Sequence, residues 1–157
     1  MALTGVVLLD TARDALGAVA PSTQALATPM LPSPTDPSWI KSGTPNFRMN
    51  ATAVSPDGRT VSGLWACDGP STFEWHFGED ETIHVLEGGV EIDYLQHRVT
   101  LRAGDMFRFR AGTTALWHVP VHVKKMFTLQ RPGLLLRAWR RLERGAGVMP
   151  GWRSAPC

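Results

Sequence analysis

The stretch FEWHFGEDETIHVLEGGVEI, residues 73–92, sets the rhythm of the chain. Phe73, Trp75 and Phe77 alternate with Glu74 and His76. Ile83 and Val85 follow Glu81, and Val90 and Ile92 follow the Gly88-Gly89 pair. Successive side chains of an extended segment point to opposite faces, so an apolar period of two marks a strand with one buried face. The same period runs outward in both directions. Upstream, Val61, Gly63 and Trp65 share one side of a strand. Downstream, Val99 and Leu101 form a short strand, and Phe107 and Phe109 alternate with Arg108 and Arg110. Val119, Val121 and Val123 then alternate with His118, Pro120 and His122, and Phe127 and Leu129 close the series.

Turn signals separate these strands at short intervals: Ser55-Pro56-Asp57-Gly58, Asp68-Gly69-Pro70, Gly78-Glu79-Asp80, Gly88-Gly89, Gly104-Asp105 and Ala111-Gly112. Many short strands with such punctuation imply an all-β sandwich or barrel. The flanks read differently. Between residues 15 and 40 the only charge is Asp36, and Pro21, Pro29, Pro32, Pro34 and Pro37 interrupt any regular hydrogen bonding. This segment is expected to be a strap on the surface. At the other end Leu134, Leu135, Ala138, Trp139 and Leu142 recur at helical spacing, which predicts a short helix over 134–144 with Arg137, Arg140, Arg141 and Arg144 on a solvated face. The expected organisation is an extension over 1–37, a barrel over 38–131, and a helix and tail over 132–157.

Composition narrows the function classes. A chain of 157 residues holds one domain, or one domain with tails. Its 16 Lys and Arg against 14 Asp and Glu leave a net charge of +2, so no general affinity for nucleic acid is implied. No run of 18 apolar residues occurs, so no membrane association is expected. MALTGVVLLD has no basic residue ahead of its apolar run and is interrupted by Asp10, which argues against a secretory signal. A cytoplasmic location and two free thiols, Cys67 and Cys157, are the corresponding expectations.

ETIHVLEG at 81–88 and GDMFRFRAG at 104–112 resemble the two signature motifs of the cupin superfamily, G-x5-H-x-H-x3-4-E-x6-G and G-x5-P-x-G-x2-H-x3-N. The resemblance implies a double-stranded β-helix, or jelly-roll, barrel of two packed antiparallel sheets. An ordered set of further segments is similar to the ureidoglycine aminohydrolase type of cupin. These are Gly43-Thr44-Pro45, Ser55-Pro56-Asp57-Gly58, Gly63-Leu64-Trp65, Phe73-Glu74-Trp75, Asp80-Glu81, Leu86-Glu87-Gly88, Gly104-Asp105, Ala111-Gly112, Trp117 and Val123-Lys124-Lys125.

The departures from the family carry most of the functional content. Cupin metal sites take two His at i and i+2, one Glu, and a further His from the second motif. On the three-residue gap these positions are Trp75, Phe77, Glu81 and Ala115, and Arg110 replaces the usual Pro. The Glu, His, His and Gln set of the ureidoglycine-processing relatives is likewise reduced to Glu81. No metal and no other cofactor is therefore expected. The alternative metal set is Glu74, His76 and Glu81, on a four-residue gap. It requires a register slip of one residue that turns Phe73, Trp75 and Phe77 outward, a costly exchange for three large aromatics. His84, His118 and His122 are expected on outer faces or rims.

With Trp75, Phe77 and Trp117 inward and Trp65 nearby, the barrel centre is an aromatic pocket. Burial there penalises the charge of Glu81 unless a cation pairs with it. The resemblance makes Lys125 the first candidate, since it falls at the lysine of the family's Val-Arg-Lys-like segment, and Arg48 in Asn46-Phe47-Arg48 is the second. Glu81 and Lys125 are thus the candidate acid/base residues, and Arg48, Trp65, Trp75, Phe77 and Trp117 the candidate substrate-binding residues. No Ser/His/Asp order or phosphate-cradling loop competes with them, because Gly43-Thr44-Pro45 lacks a lysine partner. Three functions remain open: a metal-independent lyase, dehydratase, isomerase or hydrolase; a ligand-binding or sensory cupin without chemistry; and a metal-dependent enzyme. Each takes a small-molecule ligand. A homodimer is expected, since cupins commonly pair N-terminal strands across an open sheet edge.

Overall fold

Most of the alternating runs fold as strands in the computed structural model, which describes residues 29–131. The strands are β1 (Leu31–Pro32), β2 (Ile40–Gly43), β3 (Arg48–Val54), β4 (Thr60–Asp68), β5 (Ser71–His76), β6 (Asp80–Tyr94), β7 (His97–Arg102), β8 (Met106–Phe109), β9 (Thr114–Val119) and β10 (His122–Gln130). A 3-10 turn over Pro37–Trp39 precedes β2, and the Asp36 carboxylate accepts from the Ser38 amide at 2.9 Å to cap it. The expected helix at 134–144 lies outside the described residues. Among the described residues no helix is long and apolar enough to cross a membrane.

The pairings are all antiparallel and make two layers. The first runs β1-β3-β4-β10-β6-β8 and the second β2-β5-β9-β6-β7. The fifteen-residue strand β6 belongs to both. Its residues 80–88 pair with β10 and its residues 89–94 with β7. The change of layer occurs at Gly88, whose φ is +71°. A Cβ there would lie 2.1 Å from the His122 carbonyl oxygen, so only glycine fits. Two residues earlier β6 carries a one-residue bulge: Lys124 pairs with Glu87 and Lys125 with Val85, leaving Leu86 unpaired in that ladder. Gly88-Gly89 is therefore a corner within one strand and not the turn that its dipeptide suggests. The bulge also resets parity: Val85 and Val90, an odd five residues apart, are both buried.

A second sequence expectation is corrected at the other corner. Val119, Val121 and Val123 do not form one strand. Pro120 has no amide proton for a ladder, and the chain turns at Pro120-Val121, leaving Val121 71% exposed. The Val121 carbonyl accepts from the Gly69 amide at 2.6 Å, joining this turn to the β4–β5 crossover.

The inward rows of both layers form one core. They comprise Val61, Trp65 and Cys67 of β4, Phe73 of β5, Ile83 and Val85 then Ile92 and Tyr94 of β6, Ala115, Trp117 and Val119 of β9, and Val123 and Phe127 of β10. Trp39 brings the strap onto this body. Its ring meets Trp75 edge-on at 5.6 Å and His76 at 4.6 Å. The outer face of the second layer carries a charged seam that no single segment reveals. Arg98 of β7 donates twice to Asp93 of β6, at 2.6 and 2.7 Å, and Asp93 meets His118 of β9 at 3.1 Å. The Arg98 hydrogen bonds, and then that of His118, hold the Asp93 carboxyl well below the usual carboxylate range.

Two outcomes follow. Gly88→Ala should lower unfolding stability by about 2 kcal/mol in urea titrations, since it forces both a strained φ and a backbone clash. Gly78→Ala, where a Cβ meets nothing within 4 Å, should be near neutral. For Asp93 the folded carboxyl titrates below its unfolded value of about 4. Its contribution is present above that pH and is lost as pH falls through the folded value. The stability gap between wild type and Asp93→Asn should therefore be flat above about pH 4 and close below it.

Candidate functional site

Lys125 and Glu81 enter the barrel from neighbouring strands. In the β10–β6 ladder Lys125 lies opposite Val85 and Glu81 opposite Leu129, with the Phe127–Ile83 pair between them. Both face inward, and their side chains are long enough to lean toward each other over that pair. The Lys125 ammonium donates to Glu81 Oε1 at 2.6 Å, and the two side chains are 3% and 6% exposed. Two indoles flank the cation. Lys125 Nζ is 4.8 Å from the Trp65 ring and 4.6 Å from the Trp117 ring, within the range of cation–π attraction. The rings themselves meet at 5.9 Å. Such a pair is costly to desolvate, and its stability depends on both partners remaining in contact.

The same two indoles hold an anomaly. Trp65 Nε1 and Trp117 Nε1 are buried and have no hydrogen-bond acceptor. Buried donors are nearly always satisfied, and one left alone costs about 1–3 kcal/mol. Both of these donors belong to the rings that flank the buried ammonium. Sequence reading could place both rings inside but had no signal for where their N–H groups would end.

The other candidates divide. Trp75 is half-buried and touches Trp65 at 5.7 Å and Phe47 at 6.1 Å, so it joins the tryptophan side of the cage. Phe77 is buried in another layer. It stacks on Phe109 at 4.3 Å and meets Tyr94 edge-on. Arg48 is not brought to the pair. It stands across from Ala66, on the outer face, and its guanidinium binds Asp68 at 2.7 Å.

Residues 54–127 match the family model of the EutQ-like cupin domain. The barrel has the cupin fold. Its fold is similar to that of a structure named for ethanolamine utilization protein Q of Salmonella typhimurium LT2, at 20% identity and a TM-score of 0.50, covering 56% of this chain and 72% of that one. It is also similar to a protein of unknown function from Pseudomonas syringae pv. tomato, at 23% identity and a TM-score of 0.60, over 66% of this chain. The match spans 45% of that protein, less than half its length. No curated protein matches the chain. At these identities the likeness is one of fold.

The residues of this cupin do not fit the metal that its relatives' motif would hold. Ala115 and Phe77 are buried at two of the ligand positions and Trp75 occupies a third. None of them has a donor atom suited to a metal. Glu81 has one, and it is committed to Lys125. The alternative set is not assembled either. Phe73 is fully buried, so the register has not slipped. Glu74 and His76 point outward, where Glu74 pairs with Lys41 at 3.1 Å and His76 with the Thr114 hydroxyl at 2.9 Å. Among the described residues no group of three His, Cys, Asp or Glu is arranged for a metal.

Removing one partner of the pair should expose its dependence on the other. Lys125→Met leaves Glu81 buried and unpaired and should cost about 3–5 kcal/mol. Adding Glu81→Leu to that variant should recover most of the loss, as read by chemical denaturation of the wild type, both single variants and the double variant in a double-mutant cycle.

Proposed function

We propose that this cupin binds a small organic molecule carrying an oxygen acceptor at the Trp65–Trp117 cage. We further propose that it acts on that molecule by metal-independent acid–base chemistry. Glu81 is the group that takes up or returns the proton, and Lys125 balances its charge. Trp75, half-buried beside Trp65, contributes the outer wall. The observation that carries this reading is the pair of acceptor-less indole N–H groups beside a buried ammonium–carboxylate contact. A ligand oxygen would satisfy those donors, and an acid–base pair screened from water is suited to proton transfer. The reaction classes that need only such a pair are lyase, dehydratase, isomerase and hydrolase chemistry. Segments such as Gly63-Leu64-Trp65, Phe73-Glu74-Trp75 and Leu86-Glu87-Gly88 support a closer kinship, within the superfamily, to the ureidoglycine aminohydrolase type.

Native mass spectrometry of the purified protein, with tryptophan-fluorescence titration against small hydroxy, keto and amino acids and their amides, tests the proposal. A saturable change is expected, weakened about tenfold in Trp117→Phe, the value of one hydrogen bond. Glu81→Gln should retain the ligand and lose turnover. Unchanged turnover in Glu81→Gln would remove that residue from the chemistry. Binding without any turnover by the wild type would leave a sensor.

A further inference from the structure

The outer face of the first layer presents a row that no contiguous motif contains. Met126 of β10 lies opposite His84 of β6, and His84 lies opposite Met106 of β8. The three residues therefore stand side by side on adjacent strands. Their neighbours Lys125, Phe127, Ile83, Val85, Phe107 and Phe109 occupy the inner face, so by alternation all three point outward. Met106 is 64% exposed and Met126 41% exposed. We propose that Met106, His84 and Met126 form a copper(I) site, independent of the Glu81–Lys125 pair on the opposite face of the same strands.

Directly opposed residues in an antiparallel ladder have Cβ atoms about 4.5–5.5 Å apart. The imidazole is thus flanked on both sides by a thioether arm. Methionine has three rotatable bonds, so each sulfur can swing toward the ring nitrogen. Two thioether sulfurs and one imidazole nitrogen make a soft, neutral donor set. Thioethers select copper(I), and imidazole accepts copper as well. The carboxylates and carbonyls that magnesium, calcium or manganese require are missing from the row. The flanking cations do not oppose a monovalent ion, because each is already paired. Lys124 binds Glu87 at 2.8 Å and Arg108 binds Asp80 at 3.1 Å. Two independent ladders, β10–β6 and β6–β8, deliver the three donors to one line.

The test is competition with bicinchoninate for copper(I), under anaerobic conditions with ascorbate, using untagged full-length protein. Cys157→Ser serves as the background, so that the chain end offers no thiolate. Cys67 does not interfere, since it is buried and its thiol is pushed up to about 11. One equivalent of copper should be withdrawn from the indicator. The double variant Met106→Leu/Met126→Leu keeps side-chain volume and should weaken binding at least about tenfold. His84→Ala should do the same, with unchanged circular dichroism in each case. X-ray absorption of the copper-loaded protein should show mixed sulfur and nitrogen ligation. Failure to withdraw copper, or variants that bind as the background protein does, would overturn the site.

Discussion

One strand serving two sheets is the constraint on which this barrel depends. β6 gives its first half to the layer that holds Lys125 and its second half to the layer that holds Trp117. The two layers then close over a common core and share one continuous strand. A strict period of two would turn the second half of β6 inside out. The bulge at Leu86 prevents this, and the corner beside it is made at Gly88 because glycine alone accepts both the positive φ and the closeness of the His122 carbonyl. The position of Glu81 relative to the tryptophans is fixed by that corner.

The cage follows from the same geometry. A buried carboxylate, a buried ammonium and two aromatic faces are individually awkward and mutually compatible. The ammonium neutralises the carboxylate, and the indole faces solvate the ammonium. What the arrangement does not satisfy is the N–H edge of each indole. The core elsewhere carries no such debt: Phe73, Ile83, Ile92 and Val123 are fully buried and wholly apolar.

Much of the fold was legible because period two is a local property. Phe73, Trp65 and Trp117 could be assigned inward from their neighbours alone. Where the reading failed, two physical causes shared one signal. Gly88-Gly89 marks a positive φ, which serves a turn and a corner within a strand equally well. At Val119, Val121 and Val123 the apolar period continues across a turn by coincidence, and only the missing amide proton of Pro120 marks the break. In the candidate site, a buried carboxylate demands a cation, and the resemblance of Val123-Lys124-Lys125 to the family's segment pointed to Lys125 as the partner of Glu81. Arg48 met the same demand on paper, but its position in β3 turns it to Asp68. The indole edges, the Asp93 seam and the Met126–His84–Met106 row were not legible. Each depends on register between strands distant in sequence, which no single segment encodes.

The relatives' motif would bring positive charge to the barrel centre as a metal ion, drawn from the medium and open to exchange. Here it arrives on the side chain of Lys125, joined by covalent bonds to β10. A chelator cannot strip it, a competing ion cannot displace it, and scarcity of metal in the cell cannot leave the centre half-filled. Every copy of the chain that folds carries the same charge at the same place, written into it at translation.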